Sequence, residues 1–241
     1  MSGTDAPPPL PIHWLDDDLV VCTKPAGMAV HKGPRSEPGE RFLLQTLAAQ
    51  IDRYLYPVHR LDRNTSGLVA YALTKKAAAA LQKRLQDPAT GKEYLVLVRG
   101  SAPDAFVSHR WLTARSGTRQ PAETRFRTLA QLGPVSLVAA RIHTGRTHQI
   151  RRHLNHLGHH VVGDSTHGKG RINRLLRTRY ALPRMFLHAW RLDFAHPTSG
   201  TPLRFTASLP DDLVQCLRHL PGGAPFADVL GARADAPTPT A

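Results

Sequence analysis

Residues 59 to 67 read HRLDRNTSG, a string that sets one carboxylate, Asp62, between the guanidinium groups of Arg60 and Arg63. The runs on either side, 56–61 and 68–73, are short and apolar and read as strands, so the charged string must be the loop that joins them. The chain must therefore build a sheet that presents an anion at one end. A guanidinium within a few Å lowers a carboxylate pKa by roughly 1–3 units. Asp62 is then expected to be anionic at neutral pH and suited to nucleophilic attack rather than proton donation. A salt-bridged surface turn, common and worth little, is the structural alternative.

Elsewhere short strands and helices alternate without a repeat. Strands are expected at 19–22, 94–98, 135–142, 185–194 and 203–207, the last two forming a hairpin around Pro197-Thr198-Ser199-Gly200. Helices are expected at 40–51, at 75–86 with Thr74 as N-cap and Asp87-Pro88 as stop, at 148–157 closed by Gly158, and at 211–217. Strands outnumber helices and many are sequential neighbours. This predicts an α+β domain: a mixed, mainly antiparallel sheet flanked by helices. Residues 1–11 and 221–241 read as flexible tails around a domain at 12–220.

The 32 Lys and Arg against 18 Asp and Glu leave a net charge of +14. Residues 110 to 191 hold 15 Arg and Lys169 against only Glu123 and Asp164, which is 16 − 2 = +14, so the other residues net zero. Guanidinium forks concentrated in one segment suit a polyphosphate partner, namely RNA. No apolar run approaches the roughly 20 residues of a membrane span, and 1–11 lacks the layout of a secretory signal. A cytoplasmic monomer is expected. The two cysteines, Cys22 and Cys216, sit in no CxxC motif and offer neither a disulfide framework nor a zinc site.

HRLDRNTSG resembles the signature of the RluA family of pseudouridine synthases, whose nucleophile is the Asp of HRLD. KPAGMAVH at 24–31, KEY at 92–94, TGRTHQIR at 144–151, LHA at 187–189 and HPTSG at 196–200 resemble further motifs of that family. The resemblance spans about residues 14 to 209. It implies the pseudouridine synthase fold and a cofactor-free isomerisation of uridine in RNA. It assigns Asp62 as nucleophile, Tyr94 beneath the target base, Arg146 as the partner of Asp62, and Leu187 in the base pocket. Arg60, Arg63, His148, Arg151, Arg152, Arg171 and Arg174 are expected to contact RNA. Residues 151–174 look most like the members that modify uridine 65 in the T arm of tRNA, although His160 stands where those members usually carry Pro. Members acting on rRNA or on the anticodon arm of tRNA, and a non-catalytic RNA binder, are the alternatives.

Seven of the 14 histidines lie between 143 and 167, but their spacing suits a solvated or phosphate-facing helix better than a zinc site, so no metal is expected. The nucleophile elbow GxSxG and the glycine-rich phosphate loops are missing.

Overall fold

All seven residues of the strand Ser66–Ala72 are buried, which a sheet with one wet face could not achieve. The computed structural model describes residues 8–33, 36–168, 170–232 and 238–239, and in it helices cover both faces of the sheet. In chain order the elements are β1 (Ile12–Leu15), β2 (Leu19–Lys24), α1 (Leu43–Ile51), β3 (Tyr56–Pro57), β4 (Ser66–Ala72), α2 (Lys75–Gln86) and β5 (Gly91–Arg99). There follow β6 (Ala105–Ser108), β7 (Leu112–Thr113), β8 (Arg119–Gln120), β9 (Thr124–Leu132), β10 (Val135–Ile142), α3 (Gln149–His156) and α4 (Gly170–Tyr180). The chain continues through β11 (Leu187–Ala195), β12 (Pro202–Thr206), α5 (Asp211–His219), α6 (Ala224–Gly231) and β13 (Thr238–Pro239).

The main sheet runs β1-β2-β4-β11-β5-β10-β9-β6, with β3 beside β4 and β12 and β13 continuing from β11; β7 and β8 form a separate hairpin. β4 and β11 make the single parallel strand pair among the described residues. The expected α+β architecture is present, and α2 occupies its expected range, with Thr74 Oγ1 accepting the Ala77 N–H. Ala77, Leu81 and Leu85 recur every four residues and seat α2 on β2, β4, β11 and β12.

Strand alternation splits the core between the two faces. Leu95 and Leu97 meet α4, α5 and α6 on one face, while Val96 and Val98 meet α3 on the other. Tyr94 shares that second face and touches two clusters, one built on α1 and one on α3. Its cross-strand neighbours are both small, Ala189 on β11 and Ala140 on β10. Ala189 in turn lies opposite Gly67. The row Gly67-Ala189-Tyr94-Ala140 thus gives the sheet a shallow floor with one ring standing in it.

The expected C-terminal tail is corrected by the structure. Residues 224–231 form α6, whose Ala227 and Leu230 are buried against α5, and the Leu209 N–H donates to the Leu230 carbonyl at 2.7 Å. At the other end Leu10 is buried, its backbone exchanging hydrogen bonds with the Gln50 amide. Residues 1–7, 233–237 and 240–241 of the expected tails lie outside the described residues. The expected strand at 56–61 shrinks to the two residues of β3, because residues 58–61 turn away to carry the Asp62 loop.

Gly67 adopts φ +113°, and a Cβ there would lie 2.2 Å from the Ala189 carbonyl oxygen. Gly200 also has positive φ, +75°, but nothing lies within 4 Å of its Cβ position. Gly67→Ala should therefore cost about 3 kcal/mol or more, a melting-temperature drop of about 6–12 °C. Gly200→Ala should cost only about 1 kcal/mol. Thermal unfolding of the two variants side by side checks the contrast.

Candidate active site

The Asp62 loop is clamped from beneath. Lys24, fully buried at the end of β2, donates through Nζ to the carbonyls of Pro25 and Met28 at 2.7 Å and of Arg63 at 2.9 Å. The Gly27 N–H also donates to the Arg63 carbonyl, and the Thr65 N–H to that of Asp62. Burial pulls the Lys24 pKa down to about 7; Arg184 pushes the same way and Asp62 opposes them. On the far side of the loop the Ala70 N–H donates to His59 Nε2. The Ser66 hydroxyl meets His188 Nδ1 at 2.9 Å. Because His188 Nε2 faces the Ala207 carbonyl, which can only accept, Nδ1 is the acceptor and Ser66 the donor.

The partner of Asp62 is Arg151, not Arg146. Arg151 Nη1 donates to Asp62 Oδ2 at 2.9 Å, while Nε and Nη2 fork onto Asp164 Oδ2 and Oδ1 at 2.7 and 2.8 Å. Arg146 instead donates Nε to the Pro121 carbonyl at 3.2 Å and stays partly exposed. The reason is where α3 begins: Gln149 opens the helix, so Arg151 lies in its first turn and points inward, whereas Arg146 precedes it in the loop. Arg151 is 7% exposed and cannot serve as the phosphate contact expected of it. Nor do the flanking arginines face Asp62: Arg63 pairs with Glu40, and Arg60 stands exposed at the pocket rim.

Asp164 was missed by sequence reasoning. It is 1% exposed and also accepts the N–H groups of Thr166 and His167. Burial alone would raise its pKa, but Arg151 and these two N–H groups outweigh it and hold the carboxyl below the usual range. Gln149 was missed too. Its Oε1 accepts from Thr144 Oγ1 and Arg146 N, and its Nε2 donates to the Glu123 carbonyl and Thr124 Oγ1, which fixes the TGR loop against β9.

Asp62, Tyr94, Arg60, Arg146, His148, Arg151 and Leu187 line one pocket, together with Ile142 and Ile150. The structure so brings together residues from four separate stretches of the chain. Burial first, and then the Asp62 charge, push the Tyr94 phenol pKa well up, so it is protonated at neutral pH. His148 sits at φ +53° just before α3, its Nε2 3.7 Å from Asp62 Oδ1 and its Nδ1 3.1 Å from His167 Nε2. Desolvation lowers the His148 pKa although Asp62 opposes it.

Outside the pocket, Arg152 donates to the Thr113 carbonyl and Arg174 is exposed on α4; the side chain of Arg171 and the whole of Lys169 lie outside the described residues. His153 departs from the solvated helix expected of the histidines. It is fully buried, with Nδ1 at Thr124 Oγ1 and Nε2 at the Arg110 carbonyl. Among the described residues no group of three or more His, Cys, Asp or Glu side chains is arranged to hold a metal ion, and no helix is long and apolar enough to cross a membrane.

Residues 18–156 match the family model described as RNA pseudouridylate synthase. The chain is 36% identical over 224 residues to tRNA pseudouridine synthase C of Vibrio cholerae, covering 84% of this chain and 92% of that protein. It is 37% identical over 235 residues to ribosomal large subunit pseudouridine synthase D of Nitrosomonas europaea, covering 88% of this chain and 67% of that one. The solved structure of human RNA Pseudouridylate Synthase Domain Containing 1 matches with a TM-score of 0.68 at 27% identity, covering 88% of this chain and 96% of that one. Human RNA Pseudouridylate Synthase Domain Containing 4 has the same fold, with a TM-score of 0.70 at 24% identity over 87% and 92% of the two chains.

His59 and His188 make the Asp62 loop sensitive to acid. Burial, with a smaller push from Lys92, takes the His59 pKa down to about 4. Burial does the same for His188, against the opposing Ala207 carbonyl. Between pH 6.5 and 4 the unfolded chain binds these protons and the folded chain does not, so stability is complete above pH 6.5 and falls as pH drops through this window. From pH 7 to 5 each histidine should remove up to about 2 kcal/mol. Urea unfolding at the two pH values measures the loss. His59→Gln, whose amide oxygen can still accept the Ala70 N–H, should shrink it.

Proposed function

Because the chain belongs to the RluA family of RNA pseudouridine synthases, we propose that Asp62 is its nucleophile and that its target is uridine 65 in the T arm of tRNA. The observation that carries the first part is the geometry of one carboxylate. Asp62 is held through Oδ2 by a buried guanidinium, has His148 Nε2 3.7 Å from Oδ1, and lines one pocket with Tyr94 and Leu187. The target base is unreachable inside folded RNA and must be flipped out, at a cost of a few kcal/mol, which contacts between the basic segment and phosphates offset. Asp62 attacks C1′ of the ribose and the C1′–N1 bond breaks, leaving the electron pair on N1. The freed uracil turns on the Tyr94 ring. C5 then bonds to C1′ as the Asp62 oxygen departs, C5 gives up its proton, and N1 takes one up. Attack at C6 of the base is the alternative first step.

Tyr94 supplies stacking, worth roughly 1–3 kcal/mol per base. Its protonated phenol acts at the C5 proton only as it passes its own proton on. Arg151 is the positioning residue for the nucleophile, with Asp164 holding its plane; Arg146 and Arg60 stand where they reach RNA. The tRNA target is supported by relatives named tRNA pseudouridine synthase C. The similarity to a large-subunit rRNA enzyme supports rRNA as the second reading.

Asp62→Asn, nearly isosteric, should keep fold and RNA affinity and abolish pseudouridine formation; turnover within tenfold of wild type would remove Asp62 as nucleophile. Arg151→Lys loses the fork and should lower kcat by 100-fold or more, whereas Arg146→Lys should stay within about tenfold. An Arg151→Lys enzyme that stayed near wild type would show that charge alone serves. For the target, full-length unmodified tRNA, an isolated T-arm hairpin and a large-subunit rRNA fragment are incubated with enzyme and the products mapped by carbodiimide primer extension. Product at position 65 in both tRNA substrates is expected. Product confined to rRNA or to the anticodon arm would overturn the assignment and leave the chemistry intact.

A further inference from the structure

A second cleft adjoins the catalytic pocket and shares Arg60, Tyr94, Ile142, Gly145 and Arg146 with it. Its volume is about 460 Å³ against about 70 Å³ for the pocket itself, within the range of sites that enclose a small molecule. It is walled by Leu85 and Ile142 and carries several polar groups that no internal contact uses. Gln82 and Gln86 stand one turn apart on α2, both exposed, and among the described residues neither amide has a hydrogen-bond partner. His143 Nδ1 is buried without a partner, while its Nε2 lies 3.9 Å from Glu123. Lys92 Nζ, tied to the Leu85 carbonyl at 2.7 Å, adds a cation.

An apolar slot edged by carboxamides, with two guanidiniums in its lining, has the chemistry of a nucleotide site. Carboxamides present donor and acceptor in one plane and read base edges. RNA sequence is read where unstacked bases are splayed into protein. The shared wall puts the cleft within one nucleotide's reach of a strand whose uridine has entered the pocket.

We propose that this cleft binds the nucleotide adjacent to the target uridine in the same RNA strand. Gln82 and Gln86 meet its base edge, and Arg60 and Arg146 meet the phosphate joining it to the target. The proposal rests on the reading that the uridine enters the pocket of Asp62 and Tyr94, and it does not depend on which RNA is the natural substrate.

The test uses the full chain and whichever RNA the wild-type enzyme modifies, so failure of the T-arm assignment appears at that first step. Seven substrates are made, the natural RNA and the three base changes at each of the positions 5′ and 3′ of the target, the pairing partner changed to match. Wild-type kcat/KM should spread at least tenfold across the bases at one of the two positions. The doubly substituted Gln82→Ala/Gln86→Ala enzyme should compress that spread to within threefold, by losing kcat/KM on the best substrate. Both residues are exposed on α2, so the variant should melt with wild type. No spread at either neighbour in the wild type, or an undiminished spread in the variant, would overturn the proposal. So would an equal loss on all seven substrates.

Discussion

Arg151 lies between two carboxylates, forked onto Asp164 on one side and reaching Asp62 on the other. Taking three charges out of water costs several kcal/mol for each ion, and the arrangement survives only when every lone pair and proton is matched. No buried nitrogen or oxygen of these three side chains lacks a partner. Asp164 also receives two backbone N–H groups, and Asp62 keeps contact with water at 21% side-chain exposure. Removing one partner of such a set typically costs about 3–5 kcal/mol. The triad therefore reports on the folding of everything that brings it together: the β3–β4 loop, the first turn of α3, and the turn that follows α3.

The surrounding fold serves to make that meeting rigid. Lys24 sews the KPAG turn to the Asp62 loop through three carbonyls, and His188 and Ser66 fasten the loop to β11. Gln149 ties the TGR loop to β9. The floor on which a base can lie exists because small residues flank Tyr94 across the strands. Larger side chains at Ala140 or Ala189 would fill the space beside the ring.

Much of this was legible locally. The α2 range, the β10 range and the Thr74 cap follow from apolar spacing and capping chemistry. β9 was legible but was read only as charge. In TRFRTLAQL, Thr124 and Phe126 face inward while Arg125 and Arg127 face water, the alternation of a half-buried strand. α4 was obscured in the same way, its buried Leu176 and Tyr180 hidden among arginines. Asp164 left a trace of its own as one of only two acids among sixteen cations between residues 110 and 191. A lone buried acid in such a segment needs a cation beside it.

What the sequence determined by itself was chemistry and local structure: an anion in a strand-to-strand loop, an arginine-rich segment suited to RNA, and motifs that mark the family. What only the tertiary structure decided was which arginine meets that anion. Arg146 and Arg151 lie five residues apart, and both are far from Asp62 along the chain. The choice depends on where α3 starts and on β11, a strand late in the sequence, taking its place between β4 and β5. Local propensity acts over a few residues, whereas a salt bridge spanning 89 positions is set by how the whole sheet orders its strands.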